Sequence, residues 1–84
     1  MPQVTNEQVK TLVTDLATAL VGTSEGVEVE QFEEEGEIVF ELTVPEVAMG
    51  KVIGKSGRTA KALRSVLDAI GEAQNKRYVL DIVE

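Results

Sequence analysis

A short glycine turn divides the second half of the chain. Residues 46 to 70 carry apolar side chains at helical spacing, but Gly54-Lys55-Ser56-Gly57 interrupts them. Because glycine readily adopts the backbone conformations that end a helix, a short helix should close at Gly54 and a longer one should begin after Gly57. The chain must therefore fold around two helices that meet at a four-residue turn.

Two amphipathic helices are predicted in addition to the short one before the turn. The first begins at Thr5-Asn6-Glu7-Gln8, which matches a capping box, and ends at Gly22. Its apolar positions are Val9, Leu12, Val13, Leu16 and Leu20. The helix after the turn has Arg58, Lys61 and Ser65 on one side and Ala60, Leu63, Val66, Leu67 and Ile70 on the other. Each helix can therefore bury one side.

A β-hairpin follows the first helix. Val27 and Val29 alternate with glutamates, residues 33 to 36 turn the chain, and a second strand runs as far as Pro45. The apolar positions of this second strand are Ile38, Phe40, Leu42 and Val44. Phe32 and Val39 fall out of phase with the alternation. This leaves open either a bulge or a second covered face of the sheet.

The last strand follows a turn at Asn75-Lys76. In it Tyr78, Leu80 and Ile82 alternate with Val79, Asp81 and Val83. Roughly thirty residues with two helices connect the second strand to this one, so the two should be parallel, whereas the hairpin is antiparallel. We predict an α+β fold of order α-β-β-α-α-β, in which three helices back a three-stranded mixed sheet, as a single domain over residues 1 to 84.

Positive charge is concentrated around the glycine turn. The chain has a net charge of −7, yet residues 51 to 64 contain five basic residues and no acidic one. These five are Lys51, Lys55, Arg58, Lys61 and Arg64. Glycine caps and basic helix faces also occur for structural reasons alone. In an acidic chain, however, a helix N-terminus beside this cluster favours binding of phosphate groups, and glycines let a nucleic-acid backbone approach closely.

Composition argues against catalysis. The sequence has no histidine and no cysteine, which excludes catalytic sites and metal sites built on either, and a chain of 84 residues has little room for an internal pocket. Gly50 and Gly54-Lys55-Ser56 resemble a nucleotide-hydrolase phosphate loop, but three residues separate them where four are needed. We predict no enzyme activity, no catalytic residues, no metal and no cofactor. The glutamates near residue 35 are interpreted as a solvated turn.

The residues around the turn resemble a known family. Val52-Ile53-Gly54-Lys55-Ser56-Gly57, followed by residues 58 to 64, is similar to the signature of the K-homology (KH) domain, V-I-G-x-x-G with a basic helix after it. The predicted topology matches the type II form, and the stretch from Gly50 to Leu63 resembles the KhpA family of small bacterial RNA-binding proteins. Ala48, where an acidic residue is usual, and the early Pro45 depart from the family pattern.

The resemblance implies a function and a set of site residues. Single-stranded RNA of about four nucleotides would lie in a groove, with its backbone on the glycine turn and its bases on an apolar floor. The implied RNA-binding residues are Lys51, Ile53, Gly54, Lys55, Ser56, Gly57, Arg58, Lys61 and Arg64, with Ile53 as a floor or core residue. The family also implies RNA chaperoning or post-transcriptional regulation linked to cell elongation and division. It further implies a homodimer, or a heterodimer with a larger Jag-type KH protein.

Other functions stay open from the sequence alone. The basic face could dock an acidic protein partner, or the helices over residues 47 to 70 could enter the major groove of duplex DNA. RNA modules that stack bases on exposed aromatics are disfavoured, because Phe40 and Tyr78 fit core positions. A dimer surface could involve Val4, Phe32 and Val39, or the exposed side of a helix. No apolar run reaches the roughly 20 residues that span a membrane, and we expect a cytoplasmic protein.

Overall fold

The computed structural model describes residues 4 to 84, which form three helices and three strands in the predicted order. The elements are α1 (Asn6–Val21), β1 (Glu28–Glu34), β2 (Glu37–Thr43), α2 (Met49–Ile53, preceded by a 3-10 turn at Glu46–Ala48), α3 (Arg58–Ala73) and β3 (Tyr78–Val83). Strand β2 lies at the centre of the sheet, antiparallel to β1 and parallel to β3. The predicted order α-β-β-α-α-β and the mixed sheet are confirmed.

Both ends of α1 are fixed by the residues predicted to cap it. The Thr5 backbone N–H donates to Gln8 Oε1 at 2.8 Å, and the Gln8 backbone N–H donates to Thr5 Oγ1 at 3.1 Å. Gly22 adopts a left-handed conformation with φ of 95° and donates its N–H to the Thr18 carbonyl. These contacts satisfy backbone groups that a helix end otherwise leaves unpaired.

The hairpin turn is tighter than the sequence pattern indicated. Strand β1 continues through Glu34, and Glu35 and Gly36 alone form the turn, with φ values of 50° and 81°. Two successive positive φ values are typical of the type I′ turn that suits a twisted hairpin. The pairing then runs without interruption from Glu34 and Glu37 to the other end of β1. The bulge is therefore absent from this hairpin: Phe32 and Val39 lie on the second face of the sheet, where Val39 is buried and Phe32 is exposed.

The main core lies between the helices and one face of the sheet. Phe40 and Leu42 of β2 are fully buried in it. The ring of Tyr78 in β3 packs edge-on against Phe40 with centroids 5.5 Å apart, which confirms the prediction of a core position for both aromatics. Helices contribute Val9, Val13, Ala17, Val21, Val52 and Leu67 to the same cluster.

Two apolar residues assigned to helix cores are exposed instead. Leu20 of α1 keeps 36% and Val66 of α3 keeps 44% of its surface accessible. In α1 the buried stripe advances in steps of four residues from Val9 to Val21, which leaves Leu20 at its edge. In α3, Leu67 points into the core, and its neighbour Val66 lies about 100° around the helix from it.

Candidate nucleic-acid interface

The turn between α2 and α3 has a backbone shape set by positive φ angles. Gly54 has φ of 79° and ψ of 169°, Ser56 has φ of 57°, and Gly57 has φ of 73°. The Gly57 N–H donates to the Gly54 carbonyl at 3.1 Å and closes the turn. The side chains of Lys55 and Ser56 are exposed at its tip. Glycine is favoured at both ends of the turn because its backbone tolerates these angles.

Gly54 is explained by packing within the protein. Its backbone conformation belongs to a region that is essentially restricted to glycine. A Cβ at this position would also overlap the Thr59 side chain and lie 2.9 Å from the Thr59 backbone nitrogen. Thr59 therefore occupies the space that a side chain at residue 54 would need, and no ligand is required to explain this glycine.

Gly57 faces open space. A Cβ built there would have no atom of residues 4 to 84 within 4 Å apart from its chain neighbours. Gly57 is also the N-cap of α3, and within the described chain no side chain caps this helix end. Uncapped N–H groups give a helix N-terminus a partial positive charge. Accessible backbone and positive potential therefore coincide at Gly57.

All five basic residues predicted around the turn are exposed. Lys51 lies on α2 and Lys55 in the turn, while Arg58, Lys61 and Arg64 lie three residues apart along α3 and so share one side of that helix. In the part of the chain that the structure describes, none of the five forms a salt bridge within 4.0 Å. Within the described residues, no acidic side chain neutralises their charges by direct contact.

Ile53 lies beside this surface but is only half-buried. The preceding residue, Val52, is fully buried in the core. Val52 is therefore a core residue, and Ile53 lies at the boundary between the core and the turn. This position agrees with either of the two roles, floor or core, that the sequence left open for Ile53.

A cleft of about 190 Å³ runs between α3 and β3. Arg64, Leu67 and Asp68 line it from the helix, and residues 77 to 80 line it from the strand. Strand β3 is at the edge of the sheet, so the backbone groups on its outer side face this cleft. The Arg64 Nε–H donates to the Leu80 carbonyl at 3.3 Å, which holds the guanidinium at the strand edge.

The cleft adds residues that sequence reasoning did not assign to the site. Asp68 and Val79 line it although neither belongs to a recognised motif. The predicted topology could have identified them. It places β3 at the edge of the sheet, next to β2, and the residues of α3 and β3 that face each other across this edge are then candidates for the site. Arg64 belongs both to the basic residues after the glycine turn and to the lining of the cleft, and it therefore links the two.

Polar side chains fix the segment that leads into β3. The Tyr78 hydroxyl and the Lys76 Nζ both donate to Asn6 Oδ1, at 3.1 Å and 3.3 Å. Gln74 Nε2 donates in turn to the Tyr78 hydroxyl at 3.3 Å. Since Asn6 begins α1, these bonds tie the first helix to one end of the cleft. Sequence reasoning missed Asn6, because a contact between residues 72 positions apart leaves no local pattern.

Acidic residues occur at the cleft but not among residues 51 to 64: Asp68 lines the cleft, and Glu37 lies at its Arg77 end. Glu37 pairs with Arg77 through a 2.8 Å contact at the start of β2, and residues 33 to 35 are exposed around the hairpin turn. Within residues 4 to 84, no three histidine, cysteine, aspartate or glutamate side chains are grouped so that they could hold a metal ion. None of the helices in that range is long and apolar enough to cross a membrane.

Comparison with known proteins adds an independent observation. The sequence model described as "KhpA/KhpB, KH domain" matches residues 10–82. The chain belongs to the KhpA/KhpB family of KH domains. The type II KH fold inferred from the element order agrees with this family, and the strand arrangement of the structure fits it.

Several curated relatives in this family are similar along almost their whole length. A protein of Halalkalibacterium halodurans is 48% identical over 89% of this chain and 99% of its own length. One of Aquifex aeolicus is 47% identical over 89% and 95%, and one of Listeria monocytogenes is 36% identical over 87% and 96%. Each is named RNA-binding protein KhpA. These relatives are binding proteins by name rather than enzymes, in agreement with the expectation that the chain has no enzyme activity.

Proposed function

We propose that the chain is an RNA-binding protein that acts as a single KH domain and holds the backbone of single-stranded RNA against its glycine turn. The observation that carries this proposal is the coincidence at Gly57 of open space, an uncapped helix end and unpaired cations. Phosphate groups bind at such helix ends. The names of the family relatives support RNA as the ligand. The proposed site consists of Lys51, Ile53, Gly54, Lys55, Ser56, Gly57, Arg58, Lys61 and Arg64.

The bases of the RNA would enter the cleft between α3 and β3. The cleft begins on the same side of α3 as the basic residues, and Leu67 and Leu80 supply apolar surface within it. The open edge of β3 offers backbone donors and acceptors that can form hydrogen bonds with base edges. Arg64 would release the Leu80 carbonyl or bind RNA beside it.

The affinity should be modest and depend on salt in a defined way. If three to five phosphates are neutralised, the logarithm of the binding constant should fall with the logarithm of salt concentration with a slope of about −2 to −4. A filter-binding titration at several salt concentrations measures this slope. A value near zero would contradict phosphate binding by the exposed cations.

The direct test reverses the charge at the tip of the turn. Replacing Lys55 and Ser56 together by aspartate should abolish RNA binding and preserve the fold, because both side chains are exposed. A matched control replaces Lys10 and Ser24 by aspartate, which changes the net charge equally at a distance from the turn. We expect the control to bind RNA nearly as well as the unchanged chain. Equal loss in both variants would mean that overall charge, and not the turn, governs binding.

Two rival functions are separated by simple measurements. Competition between single-stranded RNA and duplex DNA tests whether α3 enters a major groove, and preference for the duplex would contradict the proposal. Protein pull-downs from nuclease-treated and untreated lysate test whether the basic face docks an acidic protein. Partners captured only without nuclease are carried by RNA, as we expect, whereas partners that survive nuclease favour the interaction module.

The family resemblance extends the proposal to cellular roles. We infer a cytoplasmic RNA chaperone or post-transcriptional regulator that influences cell elongation and division. Sequencing RNA crosslinked to the tagged protein would identify its targets, and an RNA annealing assay would measure chaperoning. Unchanged annealing rates at saturating protein would contradict the chaperone role while leaving RNA binding intact.

We also infer assembly as a homodimer, or as a heterodimer with a larger Jag-type KH protein. Exposed apolar side chains that could form a dimer surface include Val66 on α3, Phe32 on the sheet and Val47 before α2. Sedimentation of the chain alone, and of its mixture with a Jag-type KH protein, measures the two associations. Val66→Ser and Phe32→Ser variants then determine which surface is used.

A further inference from the structure

The sheet has a second face, turned away from the helices, that the proposed RNA site does not use. On it the strand register aligns one apolar row, formed by Phe32 of β1, Val39 of β2 and Val79 of β3. Val39 is only 4% exposed although it does not belong to the helix-side core, and Phe32 is 37% exposed beside it. The three side chains thus form a small apolar strip on an otherwise exposed face.

Carboxylates flank this strip on both sides. One neighbouring row consists of Glu30, Glu41 and Asp81, which are aligned across all three strands. The row on the other side contains the cross-strand pair Glu34 and Glu37, the second of which contacts Arg77. Like charges placed opposite each other cost stability within a sheet. A cationic ligand bound beside these rows would reduce the repulsion between the carboxylates.

The signs of these charges restrict the occupant. Nucleic acid is repelled by the carboxylate rows. A second copy of the chain placed with the same face inward would bring carboxylates against carboxylates, which is also unfavourable. A partner must instead present an apolar strip with cations on both sides of it.

The dimensions fit a helix laid across the strands. Successive rows on one face are about 7 Å apart along a strand, and three strands span about 10 Å. A helix has a diameter of about 10 to 12 Å with its side chains, and two of its turns advance about 11 Å. Apolar side chains at spacings of three and four residues can therefore contact Phe32 and Val79, on either side of the largely buried Val39. Lysine or arginine residues beside them reach the carboxylate rows.

We propose that this face docks a basic amphipathic helix of another protein. Docking leaves the glycine turn free, because the two surfaces lie on opposite sides of the sheet. The interface is small and is accordingly expected to be weak and sensitive to salt. The chain would then connect a basic protein to an RNA that it holds at the same time.

A synthetic peptide tests the proposal with the whole chain. The probe is a helical peptide of leucine and lysine with one apolar stripe, and its control is a scrambled peptide of the same composition. Titration into the ¹⁵N-labelled protein should shift the amide resonances of residues 30 to 41 and 79 to 81, and the scrambled peptide should bind at least about fivefold more weakly. Shifts confined to α1 or α3, or equal binding of both peptides, would overturn the proposal.

Charge variants distinguish the carboxylate rows from general attraction to an acidic protein. Replacing Glu30 and Glu41 by glutamine and Asp81 by asparagine should weaken peptide binding about five- to tenfold. The control replaces Glu7 and Glu46 by glutamine and Asp15 by asparagine, which are exposed elsewhere, and should change binding less than about twofold.

Phe32→Thr, which keeps a side chain favourable in strands, should weaken peptide binding about fivefold or more. Equal effects of the two charge triples, or an unaffected Phe32→Thr variant, would contradict the proposed surface. All variants should retain RNA binding, and this readout also reports their folding independently of the peptide.

Discussion

The two ends of the glycine turn contain the same residue for different reasons. Gly54 and Gly57 both have positive φ, but ψ is 169° at Gly54, a conformation restricted to glycine, and 12° at Gly57, a left-handed conformation that asparagine also adopts. At Gly54 the position of a missing Cβ is filled by Thr59, whereas at Gly57 it is open to solvent. The first glycine is therefore needed by the protein itself, and the second leaves room for a ligand. In this G-x-x-G turn, packing against Thr59 explains the first glycine, whereas the second has open space beside it.

The largest expected effect is that of Gly54→Ala on stability. The substitution forces a side chain into a conformation restricted to glycine and against Thr59, so it should lower the free energy of unfolding by about 3 kcal/mol or more. Urea denaturation followed by circular dichroism measures this change. A loss below about 1 kcal/mol would mean that α3 moves easily and that the two glycines are equivalent after all.

A control for this first prediction uses a glycine that also has a positive φ but has no atoms close to the position of an added Cβ. Gly22 ends α1 with φ of 95°, and within the described chain a Cβ there would meet nothing within 4 Å. Gly22→Ala should therefore cost only about 1 kcal/mol. Adding Thr59→Ala to Gly54→Ala should recover little stability, because the backbone nitrogen and Cβ of residue 59 still lie 2.9 Å and 2.8 Å from the new atom.

The second prediction concerns Gly57, where the expected effect is on binding. Asparagine tolerates left-handed backbone, so Gly57→Asn should change the free energy of unfolding by no more than about 1 kcal/mol. Its side chain would occupy the open space over the N-terminus of α3 and should weaken RNA binding at least about tenfold. Fluorescence anisotropy with a labelled single-stranded RNA gives the affinity. Unchanged affinity would show that the RNA backbone does not approach this residue closely.

The smallest expected effect is that of Ser56→Gly between the two glycines. Removing the side chain relieves the left-handed strain at φ of 57°, but it also increases the freedom of the unfolded chain. The two terms should nearly cancel, with a change in unfolding free energy below about 0.5 kcal/mol by denaturation. RNA affinity should stay within about threefold, since the charge of the turn is unchanged. A larger loss of affinity would assign the Ser56 hydroxyl a direct contact with RNA.

Local patterns account for what the sequence predicted well. The caps of α1, the hairpin, the division of the helices at Gly54 and the core position of Tyr78 all follow from residues close together in the chain. The pairing of strands followed from connection lengths, because a long helical connection permits parallel neighbours. Membership of the KH family followed from the same short segment around the turn.

Contacts between distant residues account for what the sequence missed. A helical period identifies an apolar side only approximately, so Leu20 and Val66 at its edge could not be distinguished from buried neighbours. The bond from Arg64 to the Leu80 carbonyl depends on the distance between α3 and β3, which side-chain order does not specify. The site residues around the turn were predicted as a group, whereas the difference between Gly54 and Gly57 depends on how Thr59 packs in the folded chain.

The hydrogen bonds from Tyr78 and Lys76 to Asn6 have a consequence for how the molecule opens. They join the first turn of α1 to the beginning of β3, so the first and last elements of the fold share one set of contacts. Partial unfolding of either element would break these bonds and loosen the other. Native-state hydrogen exchange should therefore show that opening of α1 raises exchange at the beginning of β3, and the cleft between α3 and β3 would lose the bonds that fix Tyr78 and Lys76 at its end whenever the first helix detaches.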